Sequence, residues 1–193
     1  MNKNKEIEIR ISLDKKSFLN KRRRLKQITK FKRKSHQVDD YFTPFHRNFV
    51  KPKFPYEWLR IGKRGNDTLI TYKHFYPENA EYHTHCDEYE TKIGKSNALK
   101  KIFSALNFRK LITVDKKREI YNYKNEFEIS LDEVKDLGYF VEIEAKKDFG
   151  GVRETRKKIF EFTKKLGFDS FKEDKKISKG YPYLLMRKKR LIK

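Results

Sequence analysis

The chain has 193 residues, of which 39% are charged and 36% hydrophobic, and its formal net charge is +22 at pH 7. No apolar run approaches the roughly 18 residues of a membrane span, and a single cysteine, Cys86, excludes an intramolecular disulfide. Such a charge draws polyanions (nucleic acid, nucleotides, polyphosphate, acidic membranes) without choosing among them. The 16 Phe and 11 Tyr supply the burial a folded core needs. One domain over 1–193 is expected, with its core at about 5–186 and a basic tail at 187–193. The first ten residues lack an apolar signal core, and the lone cysteine suits a reducing compartment, so the expected location is the cytoplasm.

"EIEIRISL" (6–13) alternates strictly, with Ile or Leu at odd positions and Glu6, Glu8, Arg10 and Ser12 at even ones, which predicts a strand. Phe18, Leu25, Ile28 and Phe31 then share a helical face, capped at Asp14 or Ser17. "SHQVDDYFTP" reads as a strand ended by Pro44, and the proline-rich 45–55 as a loop. "EWLRI" and "TLITYKHF" form a hairpin around "KRGND". "EYHTHCDEYETKI" continues as a strand. Leu99, Ile102, Phe103 and Leu106 line a helix with Ser96 at its N-cap. "KLITVDKKREIYNY" and "EFEISLDEV" make a second hairpin, and "GYFVEIEAKK" is the last strand. A third helix follows Gly150 and Gly151, with Ile159, Phe160, Thr163 and Leu166 on one side and Gly167 past its end. The strands do not alternate regularly with helices, which favours a mostly antiparallel sheet or barrel over a parallel sheet.

Several strands carry charges on alternate positions: Glu88 and Glu90, Lys116 and Arg118, Glu142 and Glu144, with Arg60 and Lys73 inside otherwise apolar strands. One such stripe is an ordinary wet face. Repeated and segregated into acidic and basic pairs, they fit the inside of a barrel that binds something. Clustered carboxylates take hard divalent cations, and clustered Lys and Arg take phosphate oxygens. His83, His85 and Cys86 have no second cluster at zinc-binding spacing, so no zinc is expected.

These segments resemble a known pattern. "EIEIR" is similar to the ExExK motif of the CYTH family, which contains class IV adenylate cyclases and thiamine triphosphatases and belongs to the triphosphate tunnel metalloenzymes. "QVDDYF" before Pro44, "WLRI", "ITYK", "DEYET", "VDKKR" and "SLDEVKDLGYFVEIE" resemble the family's further segments, in its order, across residues 6 to 185. The resemblance implies an α+β fold: a closed eight-stranded antiparallel β-barrel with helices packed outside. It also implies Mg²⁺ or Mn²⁺ on Glu6, Glu8, Glu142 and Glu144, and phosphates on Arg10, Arg60, Lys73, Lys116 and Arg118. It gives catalytic roles to Asp132, Lys73 and Arg118, and places Glu88 and Glu90 on the tunnel wall. The sequence departs from the pattern at Arg10, where lysine is usual, and at Gly62, where a second arginine is frequent. His85 and Cys86 replace a basic residue, and no His-Phe pair precedes Glu6.

The expected function is metal-dependent processing of ATP or another triphosphate, nearest the class IV cyclases, which convert ATP to cyclic AMP and pyrophosphate. The alternative is hydrolysis of an inorganic, thiamine or nucleoside triphosphate at the same site. A second alternative is non-catalytic polyphosphate or RNA binding. Lys21 to Lys34 hold nine Lys or Arg in fourteen residues, a candidate phosphate-tracking face. Paired carboxylates would repel a nucleic-acid backbone, which favours the enzyme. The expected assembly is a monomer or homodimer with no membrane partner.

Overall fold

The computed structural model describes residues 4–168 and 177–192. Its strands are β1 (Lys5–Glu6), β2 (Glu8–Leu13), β3 (Lys30–Pro44), β4 (Glu57–Arg64), β5 (Asp67–Tyr76), β6 (His85–Ile93), β7 (Phe108–Tyr123), β8 (Phe127–Val134) and β9 (Gly138–Ala145). They form one antiparallel sheet in the order β1-β6-β5-β4-β3-β7-β8-β9-β2. β1 and β2 are one stretch interrupted at Ile7, so the order starts and ends on the same segment and the sheet curls into a nearly closed barrel. Partners switch at the interruption. Glu6 pairs with Cys86 on β6, Glu8 pairs with Glu144 on β9, and the Ile7 carbonyl accepts the Ala145 N–H at 3.0 Å. The expected eight strands are therefore present with the first one split. Near-closure leaves little unpaired strand edge.

Alternation decides which side chains face which solvent. Ile7, Ile9, Ile11, Ile129, Leu131, Val141 and Ile143 point outward and are buried under two helices. These are α1 (Lys15–Ile28), which contributes Phe18 and Leu25, and α3 (Gly151–Lys165), which contributes Ile159 and Phe162. The main core thus lies outside the barrel. α2 (Ser96–Ala105) sets Phe103 against Phe42 and Ile61 on another wall. α4 (Tyr181–Lys188) covers one end of the barrel, packing Tyr181, Tyr183, Leu185 and Met186 near the inward-facing Tyr41, Trp58, Val114 and Phe140. The inside is therefore apolar at the α4 end and charged beyond it.

Tertiary pairing overrides several local expectations. α1 is capped by Asp14, whose carboxylate accepts the Ser17 N–H at 2.8 Å, but it ends at Ile28. Phe31 lies on β3, where pairing with Tyr121 of β7 claims it, and it is 48% exposed. In α2, Ile102 and Leu106 are exposed and Ser96 is the first helical residue; Lys95 holds the cap position with no side-chain bond. β6 starts at His85, not Glu81. On α3, Phe162 is buried where Phe160 is only half-buried. The expected three helices omit α4, which also takes in the start of the basic tail, running to Lys188; Lys193 lies outside the described residues. No helix among the described residues is long and apolar enough to cross a membrane.

Candidate active site

Inward positions of all nine strands, β1 to β9, line a tunnel of about 200 Å³. Glu6, Glu8, Arg10, Arg60, Lys73, Glu88, Glu90, Lys116, Arg118, Glu142 and Glu144 all face it, as the alternation implies. The strand register arranges them in rows. Glu8, Glu144 and Glu128 stand opposite one another on the adjacent strands β2, β9 and β8. The next row is Arg10, Glu142 and Ser130. Glu128 is an addition to the expected set. It shares a strand face with Ser130 and Asp132, and that two-residue spacing is the available sign.

Asp132, expected among the catalytic residues, lies behind the tunnel lining. It has no exposed surface and sits behind Arg118. Its carboxylate accepts Arg118 Nε at 2.7 Å and Nη2 at 2.5 Å, and the Tyr181 hydroxyl at 2.8 Å. Its oxygens are taken up by Arg118 and Tyr181 rather than exposed to the tunnel. The physical reason is register: Asp132 pairs directly with Arg118 across the β7–β8 ladder, and a bidentate guanidinium fills its oxygens.

The acids and bases neutralise one another. Arg118 also donates to Glu142, which accepts Arg10 Nε at 2.5 Å. Arg10 reaches Glu8 at 2.7 Å. Lys73 donates to both oxygens of Glu6, at 2.8 and 2.6 Å, and lies 3.4 Å from Glu88. Arg60 is 3.5 Å from Asp39 and 3.6 and 3.8 Å from Glu88 and Glu90. Among the described residues no three His, Cys, Asp or Glu side chains are already gathered as a metal-binding group.

Burial sets the electrostatics. Burial and the nearby Glu142 push Glu8 up to about 7 in spite of Arg10. Burial and Glu6 push Glu144 to about 7 in spite of Lys146. Glu142 is held well below the carboxylate range, because Arg10, Arg118 and Lys116 outweigh its burial. Burial and Arg118 depress Lys116 to about 8 against the pull of Asp132 and Glu142. Like charges opposite one another on a sheet repel, so the Glu8–Glu144–Glu128 row is unfavourable alone and favourable beside a cation. Its oxygen-only donors fit a hard divalent ion, with Glu6 and Glu142 adjoining the row.

Gly62 faces inward opposite Asp39. A Cβ there would lie 2.1 Å from Asp39 Oδ1, so any larger residue at this position requires the buried Asp39 side chain to shift. Arg64, two residues along the same face, bonds Asp39 at 2.5 Å and lines the tunnel, while Lys63 is exposed. We expect Gly62→Ala to cost about 1–3 kcal/mol by overpacking, read as a lower Tm, and to weaken tripolyphosphate binding in calorimetry as Arg64 shifts. Unchanged Tm and affinity would contradict the Asp39 clash.

Part of the basic run 21–34 is put to structural use, while Arg23, Lys26, Lys30 and Lys32 are exposed. Lys21 donates to the carbonyls of Leu166 and Gly167, and Arg24 to that of Lys165, which places cations at the C-terminus of α3. Arg22 pairs with Glu119, and Arg33 lines the tunnel. His83 is buried against Phe75, with no hydrogen-bond partner on either ring nitrogen among the described residues. Burial and Lys179 depress its imidazole to about 4. Cys86 is buried, and burial raises its thiol well above the ordinary range.

The profile of the CYTH domain matches residues 4–178. The Methanocaldococcus jannaschii protein named "Putative adenylate cyclase MJ0240" is 32% identical over 177 residues, 91% of this chain and 95% of that one. The solved structure of the PH1819 protein from Pyrococcus horikoshii superposes with a TM-score of 0.74 at 26% identity, covering 95% of this chain and 99% of that one. HpAC1 from Hippeastrum, named for adenylyl cyclase and described as having a dominant triphosphatase activity, superposes with a TM-score of 0.57 at 16% identity, covering 84% and 87% of the two chains.

Proposed function

From the premise that the chain belongs to the CYTH domain family, we propose that it is a divalent-metal-dependent enzyme that hydrolyses the terminal phosphate of a triphosphate. The charge balance of the tunnel carries this reading. Seven Lys or Arg and seven Glu line it, in a chain whose net charge is +22. A pocket for a bare polyanion would be purely basic. A balanced one suits a polyanion that arrives with its own cations.

Arg60 and Lys73 from one wall and Lys116 and Arg118 from β7 would grip the phosphate oxygens, Arg in bidentate fashion. Glu6, Glu8, Glu142 and Glu144, with Glu128, would hold Mg²⁺ or Mn²⁺. When bound, the ion supplies further neutralisation of the phosphate charge. Water adds to the terminal phosphorus as the bridging P–O bond breaks, giving orthophosphate and the corresponding diphosphate, which is pyrophosphate when the substrate is tripolyphosphate. The residues contribute positioning and fixed charge.

The size of the tunnel supports hydrolysis over cyclisation in this reading. Pockets for drug-sized ligands run to roughly 300–1,000 Å³, and this tunnel is about 200 Å³. Its four aromatic lining residues, Tyr41, Trp58, Phe75 and Tyr181, all belong to the apolar cluster around α4. A triphosphate fits, and a base would project beyond the tunnel without a stacking platform in its lining. The cyclase reading rests on the sequence's resemblance to the class IV branch and on the names of relatives, and the description of the Hippeastrum protein joins such a name to a dominant triphosphatase activity.

The test is to incubate the protein with Mg²⁺ or Mn²⁺ and either tripolyphosphate or ATP, and to separate products by chromatography. Orthophosphate from tripolyphosphate, abolished by chelation, is expected. Cyclic AMP as the main product from ATP would reject hydrolysis. Absence of metal-dependent tripolyphosphate binding in calorimetry would reject the site altogether.

A further inference from the structure

Arg10, at the position where the family usually has lysine, lines the tunnel and is engaged by groups of the protein itself. It donates to Glu8 and Glu142, its side chain is 10% exposed, and its guanidinium carbon stands 4.5 Å over the ring centroid of Tyr181. A lysine has no planar head to stack in this way. Tyr181 is 3% exposed, and its hydroxyl donates to Asp132. The contacts form a closed ring. They run from Arg10 to Glu142, to Arg118, to Asp132, to the Tyr181 hydroxyl, and back through the Tyr181 ring to Arg10. Four members come from β2, β9, β7 and β8; Tyr181 is supplied by α4. Lys116 stands 5.1 Å from the same ring.

We propose that Tyr181 is a positioning residue. By closing this ring it sets Arg10 and Asp132, and through them Glu142 and Arg118, so that α4 is a working part of the site as well as a cover for the barrel end. Arg10 is then the clasp for α4, and phosphate binding falls to Arg60, Lys73, Lys116 and Arg118. The proposal rests on the triphosphate reading for its kinetic consequence only. The ring of contacts stands without it.

Two substitutions separate the parts of Tyr181. Tyr181→Phe removes the hydroxyl and keeps the ring; Tyr181→Leu removes both. Each is made in the native Arg10 background and in the Arg10→Lys background, and kcat, KM for tripolyphosphate and Tm are measured. Tyr181→Phe is expected to lower kcat about tenfold with KM changed less than twofold, the signature of misplaced groups in an intact tunnel. Passing from Phe to Leu is expected to cost a further factor of about ten with Arg10, the size of a desolvated cation–π contact. In the Arg10→Lys background the same passage is expected to cost less than about twofold, because the stacked guanidinium is gone. That non-additivity reports the coupling directly. An equal Phe-to-Leu cost in both backgrounds, or unchanged kcat in every variant, would overturn the proposal. If the wild-type protein hydrolyses nothing, the functional reading fails and the Tm cycle decides alone: a Phe-to-Leu loss dependent on Arg10 supports the clasp, and an additive one removes it.

Discussion

Arg118→Ala will unfold at a stability lower by about 3–5 kcal/mol and lose at least about a thousandfold in kcat/KM, the largest effect expected of any single change in the tunnel. Arg118 bridges two buried carboxylates, Asp132 and Glu142. Asp132 has no exposed surface, and the side chain of Glu142 is 7% exposed. Removing the guanidinium leaves both charges buried; among the described residues Lys116 at 3.8 Å and the Tyr181 hydroxyl remain near Asp132, and Arg10 near Glu142. The cost is thus the penalty of stranded charge, not the net worth of an ion pair. The functional loss has a separate origin: a fixed cation aimed at the phosphates disappears. Urea unfolding reads the first effect and steady-state kinetics the second. A double change, Arg118→Ala with Asp132→Asn, should recover about half of the lost stability and none of the activity. Recovery of both together would mean that Arg118 only stabilises the barrel. A loss below about 1 kcal/mol would mean that the two carboxylates find other partners.

The alternation of apolar and charged residues makes most of this site legible. A period of two in "EIEIRISL" and "GYFVEIEAKK" is enough to place Glu6, Glu8, Arg10, Glu142 and Glu144 on one face, and the barrel turns that face inward. Register is not legible in the same way. That Glu128 stands opposite Glu144, or that Asp132 is consumed by Arg118, follows from which strands are neighbours and with what offset, a long-range property that no window of sequence carries. Gly62 shows the same limit. In sequence its small size resembles a lost arginine; in the barrel Asp39 occupies the space above it. α4 is hidden for a different reason. "YPYLLMRKK" is short, has a proline in its first turn, and has no capping side chain, so nothing local marks it as a helix. It is held by burial of Tyr181, Tyr183, Leu185 and Met186 at the barrel end, where tertiary packing supplies what propensity lacks. In α1 and α2 the mismatch runs the other way: apolar residues at helical spacing suggest a buried face, though Ile28, Ile102 and Leu106 stay exposed.

Lys116→Met should separate folding from function most sharply. Lys116 is 4% exposed, and burial together with Arg118 depresses its ammonium to about 8 from an ordinary 10.5. At pH 7 the lysine is charged in both folded and unfolded chains, and the folded chain carries a penalty of roughly 3 kcal/mol for it. Between pH 8 and 10.5 the unfolded chain binds the proton and the folded chain does not. Stability from this group therefore rises with pH across that window and is lowest below pH 8. Methionine fills the same volume without charge, and Arg118 and Tyr181 remain on Asp132. The variant should melt higher than wild type at pH 7, by about 5 °C, and the difference should shrink toward pH 10. Its affinity for tripolyphosphate should fall at least about tenfold, the value of one hydrogen bond to a charged group. In wild type the same titration should raise KM above pH 8, a rise the variant lacks because it has no proton to lose there. Thermal melts and calorimetry at pH 7 and pH 10 read all three effects. A variant that melts lower than wild type at pH 7 and still binds triphosphate would make Lys116 a structural cation; a gain in stability joined to a loss of binding identifies a residue whose burial destabilises the free enzyme and serves the ligand.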